Sequence, residues 1–178
     1  MHNTIPASWK TAKLFIHDLN QDDIEIAQDL YEKSAFMEEW TGQELHPNYV
    51  SHCFFEGDLP PNGQMDNFKI QVACDARNRI IGLLVLYHGY PHGECAYITF
   101  LFFDPEVQRQ GLGRELAQEL FHRLKLLRYN EVRANVQLKN WSGLRFWANV
   151  GLTTITGIYG DSDYSKDAYA DIELSKQL

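Results

Sequence analysis

FFDPEVQRQGLGRELAQELFHRL, residues 102–124, carries the chain from an apolar strand end through Asp104-Pro105 into a polar turn. Two glycines around Leu112 follow, and then an amphipathic helix. Leu112, Leu116, Leu120, Leu124 and Leu127 recur at helical spacing and predict a helix from Gly111 to about Tyr129. Glycine is a poor helix former, so two at a helix start need a reason. They permit left-handed backbone angles and let a ligand approach the main chain with no Cβ in the way. The first turn of a helix also presents unpaired N–H groups and partial positive charge, a combination suited to diphosphate. The alternative is a plain strand-to-helix corner that holds nothing.

Upstream, FKIQVACD (68–75), RIIGLLVLYHGY (79–90) and ECAYITFLFFD (94–104) are strand-like runs joined by the short turns DARN and YPHG, which predicts an antiparallel meander. AKLFIHDL (12–19) reads as a first strand, followed by a helix with Asn20 as N-cap that ends near Ser34. Residues 35–67 are less regular: EEWTGQELHP, a short helix over Tyr49–Phe55, and the breaker run DLPPNGQ. Downstream, EVRANVQL (131–138) is a strand and Trp141 to Val150 a helix, and GLTTITGIYG and AYADIELSK close the chain as strands. The order predicts one α/β (α+β) domain over residues 1–178, with a mixed, mostly antiparallel sheet of about seven strands and about four flanking helices.

Spelling separates the phosphate-binding motifs. A P-loop needs Gly-Lys followed by Ser or Thr, but Gly113 precedes Arg114-Glu115; a dinucleotide fingerprint needs a third glycine where Leu116 stands. What fits is Q-x-x-G-x-G, Gln108-Arg109-Gln110-Gly111-Leu112-Gly113, and here the chain resembles the GNAT superfamily of acyl-CoA-dependent N-acetyltransferases. NWSGLRFWANVGL, with Asn140, Gly143, Phe146-Trp147 and Gly151, is similar to that family's second CoA-side segment, with Leu152 for its usual aromatic.

The resemblance implies a GNAT fold, acetyl-CoA as cosubstrate, no metal, and direct acetyl transfer to a primary amine within a ternary complex. It places CoA pyrophosphate on N–H groups from Arg109 to Arg114, with Gln108 opening the turn. The pantetheine arm would lie along Leu101, Phe102 and Phe103, and Asn140 and Trp147 would face it. The Phe103 N–H would stabilise the developing oxyanion. Two positions depart from the family. Tyr97 stands eleven positions before Gln108, where many members carry a Glu base, and Trp147 stands where many carry a proton-donating Tyr. The base therefore stays open among Glu94, Tyr97 through water, Thr99 and His88, with Tyr97 also a wall of the acceptor pocket. Tyr159 is an alternative acid. A catalytically silent acyl-CoA-binding domain is the alternative function.

Bulk properties set the remaining expectations. A formal net charge of −8 over 178 residues argues against nucleic-acid binding and suits a cationic small-molecule or peptide amine. Acidic and aromatic residues meet around Glu38, Glu39, Trp40 and Glu44, and again around Asp161, Asp163 and Asp167. Glu38, Trp40 and Tyr97 are the expected acceptor pocket. Cys53, Cys74 and Cys95 form no CxxC pair, so neither a disulfide framework nor a zinc site is expected. YHGYPHGE, with His88, His92 and Glu94, reads as a surface turn rather than a ligand set. With no signal peptide and no membrane-length apolar run, a cytoplasmic protein without membrane contact is expected. Pairing of two copies through the C-terminal strands is compatible with the pattern.

Overall fold

The computed structural model describes residues 3–178. The chain opens on a hairpin, β1 (Ser8–Lys10) and β2 (Phe15–Asp18), where the sequence suggested a single strand over 12–19. The Thr11 hydroxyl accepts the Leu14 N–H at 3.0 Å and turns the corner, so a three-residue strand forms ahead of it. Asn20 begins the next element without a side-chain cap: residues 21–23 form one 3-10 turn, and α1 (Ile24–Glu32) follows. Two short helices, α2 (Glu38–Thr41) and α3 (Tyr49–Phe55), cross the irregular region.

The alternating segments then build the meander β3 (Phe68–Cys74), β4 (Ile80–His88) and β5 (Cys95–Phe103). Next come α4 (Leu112–Leu126), β6 (Glu131–Gln137), α5 (Trp141–Asn149), β7 (Thr154–Gly160) and β8 (Ala170–Gln177). The eight strands form one sheet in the order β1-β2-β3-β4-β5-β6-β8-β7, with β5–β6 the parallel pair. Among the described residues, eight strands and five α-helices replace the expected seven and four; the mixed, mostly antiparallel sheet stands.

Each face of the sheet carries its own core. The leucine stripe of α4 (Leu116, Leu120 and Leu124, all fully buried) packs with Ile16, Leu84, Leu86 and Ile98. On the other face Leu30 and Tyr31 of α1 and Val50 and Cys53 of α3 cover Val72, Leu83, Val85 and Phe102. Burying each such side chain contributes about 1.5–3 kcal/mol, so the two layers, rather than helix propensity, fix α4 and α1 to the sheet. β5 breaks its alternation once. Val85 pairs with Phe100 and Leu86 with Ile98, leaving Thr99 as a bulge. The extra residue sends Phe100 and Phe102 toward α1 and α3, and leaves Leu101 and Phe103 facing α4.

Candidate functional site

The Gln108–Gly113 turn is built by short-range contacts. Asp104 accepts the Glu106 N–H at 3.0 Å and starts a 3-10 turn over Pro105–Val107. Lys33, just past the end of α1, reaches Asp104 at 2.6 Å. Burial works against ionisation of the Asp104 carboxyl, but the Lys33 and Glu106 hydrogen bonds outweigh it and hold the group below the usual carboxylate range. Gln108 Nε2 donates to the Phe103 carbonyl at 2.7 Å and ties the turn to the end of β5. Arg109 (φ 65°) and Gly111 (φ 84°) both adopt left-handed angles. Such reversals turn neighbouring N–H groups toward a common concavity. A Cβ on Gly111 would meet nothing within 4 Å, so the backbone angle is what demands glycine there. A Cβ on Gly113 would lie 3.2 Å from Phe146, so that glycine lets α4 approach α5. α4 has no side-chain N-cap, which leaves its first N–H groups available.

Beside this turn the sheet opens. β5 pairs with β6 only from Cys95–Glu131 to Ile98–Ala134, after which β6 continues against β8 alone. Asp104 N–H donates to Ile81 of β4. Strand alternation then points the N–H groups of Leu101 and Phe103 the other way, into the gap left by β6. The gap is a cleft of about 730 Å³ between β5, α2, α4 and α5.

Most of the expected CoA contacts converge here. Leu101, Phe102, Phe103, Gln108, Arg109, Gly111, Leu112, Gly113, Arg114, Asn140 and Trp147 all line the cleft; Gln110 does not, and instead approaches the Glu106 carbonyl at 3.5 Å. Asn140 caps α5 by accepting the Gly143 N–H at 2.8 Å. A Cβ on Gly143 would sit 2.6 Å from Asn140 Nδ2, which explains the small residue in NWSG. Phe36, Met37, Trp141 and Arg145 also line the cleft and escaped sequence reading. Phe36 and Met37 lie in the irregular region, and Arg145 resembles any exposed helix residue. Among the described residues, Arg109, Arg114 and Arg145 make no ion pair, so an acidic protein presents three uncompensated cations at one cleft.

The base and acceptor candidates are scattered. Glu94 sits at the β4–β5 turn, where it accepts from Asn130, nine residues and about 30 Å of strand from Phe103. His88 is fully buried; its Nε2 meets the Ile5 N–H at 3.1 Å and its Nδ1 the Asn67 carbonyl at 2.9 Å. Trp40 lines the cleft, but Glu38 uses its carboxylate on the Leu45 N–H at 2.9 Å. Asp161 likewise accepts the Tyr169 N–H at 2.8 Å. Tyr159 lies exposed on β7, outside the cleft. Cys95 is fully buried and its thiol is pushed up to about 12 by burial, which disarms it as a nucleophile.

Tyr97 and Thr99 stand where the β5–β6 pairing ends, and they line a second hollow of about 200 Å³ with Tyr87, Tyr90 and residues 58–61. Tyr97 donates to Glu173 of β8 at 3.1 Å; burial first, and then the Glu173 charge, raise its phenol well above the ordinary value. Glu173 also accepts from Arg133 at 2.8 Å and Thr156 at 2.6 Å, and Arg133 bridges to Glu131 at 2.9 Å. His92, Cys95 and Glu131 bring ligand-type atoms within 4.8 Å of one another, a different trio from His88, His92 and Glu94. Arg133 already occupies the Glu131 carboxylate there.

Comparison with known proteins agrees with this geometry. The sequence profile described as the Acetyltransferase (GNAT) family matches residues 25–152. No curated protein matches the chain. The fold is similar to an acetyltransferase from Thermus thermophilus (TM-score 0.71, 17% identity, 96% of this chain and 100% of that one). It is also similar to the Escherichia coli ribosomal-protein-S18-alanine N-acetyltransferase (0.68, 14%, 92% and 93%). A third likeness is a spermidine N-acetyltransferase chimera from Vibrio cholerae and hSSAT (0.68, 18%, 93% and 96%). At these identities the structures speak for the fold, while the profile spans well over half the chain: the protein belongs to the GNAT acetyltransferase family.

Proposed function

We propose that the protein transfers an acetyl group from acetyl-CoA to a primary amine by direct attack, with both substrates bound at once. The observation that carries this reading is the parting of β5 from β6 beyond Ile98, which leaves an unpaired backbone edge between a left-handed turn and a tyrosine-walled hollow. The residues present fit the cosubstrate: a cleft of about 730 Å³, open N–H groups at Leu101 and Phe103, and free arginines at positions 109, 114 and 145. Acetyl-CoA supplies the activated thioester carbonyl.

The chain's own groups do the rest. The turn and the arginines hold the phosphates, and the β5 edge holds the pantetheine arm as an added strand would be held. The N–H groups of Leu101 and Phe103 both face the cleft and can stabilise charge on the thioester oxygen. That of Leu101 stands only two residues from Thr99 and the hollow. A protonated amine first gives one proton to water, which frees its lone pair; as the nitrogen attacks, Tyr97 Oη takes the second proton while passing its own to Glu173 along the 3.1 Å hydrogen bond. The amine nitrogen bonds to the carbonyl carbon as the carbon–sulfur bond breaks. Trp147 offers no acidic hydroxyl, so CoA leaves as thiolate and takes its proton from water; a thiol is acidic enough for this.

Those same two positions favour the second reading, a silent acyl-CoA-binding domain, because neither Tyr97 nor Trp147 is a strong acid or base. Incubating acetyl-CoA with primary amines and following free thiol and acetylated product decides between them. Thiol and amide formed in equal amounts are expected, with Tyr97→Phe slowing transfer by about 100-fold, the size of one general acid–base contribution. Acetyl-CoA binding without thiol release from any amine would establish the silent domain.

A further inference from the structure

The hollow beyond the bulge has a chemistry of its own. It is walled by the rings of Tyr87, Tyr90 and Tyr97, by Asp58 and Thr99, and by the apolar Leu59, Pro60 and Pro61, and among the described residues no Lys, Arg or His lines it. The walls are fixed. Tyr87 Oη accepts the Gln64 N–H at 2.9 Å, Tyr90 packs edge-on against Tyr97 at 5.5 Å, and Tyr49 donates to Asp58 at 3.1 Å. Tyr97 has already given its hydroxyl hydrogen to Glu173, so toward anything in the hollow its oxygen can only accept. The Thr99 hydroxyl is buried and has no hydrogen-bond partner among the described residues.

We propose that this hollow takes the ammonium head of the acceptor: a primary amine on an unbranched saturated carbon, with no carboxylate beside the nitrogen. An alkylammonium carries three N–H donors and a positive charge, and the hollow offers acceptors at Tyr97 and Asp58 together with aromatic faces. At about 200 Å³ against about 730 Å³ for the cleft, the hollow takes the head, and the remainder of the substrate lies outside. A carboxylate next to the nitrogen would meet Asp58 with no cation to answer it. The acidic segments around residues 38–44 and 161–167 are not needed for this role, since Glu38 and Asp161 serve their own loops. Naming the occupant as the acceptor rests on the transferase reading; ammonium binding in the hollow does not.

The test is calorimetry on the full chain saturated with CoA, which has no acetyl group to transfer. The titrants are propylamine, its α-carboxylated analogue 2-aminobutyrate, and the neutral isostere 1-propanol. Propylamine alone is expected to bind, and Asp58→Asn and Tyr90→Leu are each expected to weaken it about tenfold, or about 1.4 kcal/mol. CoA affinity measured on the same variants reports whether they are folded. Absence of propylamine binding, equal binding of all three titrants, or indifference to both variants in folded protein overturns the proposal. Propylamine that binds in the hollow but is never acetylated by acetyl-CoA would instead sink the transferase reading and leave the ammonium site standing.

Discussion

At the scale of single residues, Gly111 answers a requirement of backbone angle alone. Its φ of 84° lies in the left-handed region, and a Cβ there would touch nothing within 4 Å. Gly111→Ala therefore tests backbone angle without steric clash. A left-handed residue with a side chain costs about 1–2 kcal/mol, which for a chain of this length lowers Tm by roughly 2–8 °C. If the turn cradles phosphate, the same change should weaken CoA binding, because relaxing the angle turns N–H groups out of the concavity. A melting point that falls while CoA affinity holds would make Gly111 a corner residue only. The spelling around it was legible because the motif is local: the hydrogen bonds of Asp104 to Glu106 and of Gln108 to Phe103 close within about six residues of Gln108. Asp58 was not legible. It reads as part of a breaker run, and only the fold of residues 57–67 over Tyr87 brings it to the hollow.

At the scale of elements, the junction of β5, β6 and β8 holds a buried charge network. Glu131 and Glu173 flank Arg133, and all three side chains are less than a fifth exposed. Burial works against ionisation of Glu131, yet hydrogen bonds from Arg133 and His92 outweigh it and keep its carboxyl below the ordinary range. A depressed carboxyl stabilises the fold above its unfolded value of about 4.3, and that contribution is lost as pH falls through the folded value. Arg133→Leu removes the cation between two buried carboxylates, at an expected cost of about 3–5 kcal/mol near neutral pH. The difference from wild type should narrow as pH is lowered toward about 4, since protonation neutralises the stranded charges; denaturant titrations at several pH values measure it. A constant difference across that range would mean that packing, not charge, sets the loss.

Elements also show where sequence reading stops. β3 to β6, α4 and α5 were legible from period and punctuation, because each buries one face or stripe against a single layer. The first hairpin was missed because Ser8–Lys10 is too short to show a period. The Thr99 bulge and the parting of β5 from β6 leave no mark in the letters, being properties of how strands pair. Simple alternation would put Tyr97 and Leu101 on one face, whereas the bulge puts them on opposite faces and so separates the hollow from the α4 side.

At the scale of the whole molecule, a formal charge of −8 coexists with three unpaired arginines around one cleft. That local reversal of sign is what a polyanionic cosubstrate needs, and its binding should weaken as salt rises. No helix among the described residues is long and apolar enough to cross a membrane. The measurement that bears most directly on the central claim is thermal unfolding with acetyl-CoA, CoA, ATP or NAD, each supplied well above micromolar concentration. A ligand at about 100 times its dissociation constant stabilises by about 2.7 kcal/mol, a rise of roughly 5–10 °C for a chain of this size. Acetyl-CoA and CoA should both raise Tm by that amount, and ATP and NAD should not. Equal shifts from all four would reduce the turn to a general phosphate site, and no shift from the CoA compounds would contradict the account of the cleft.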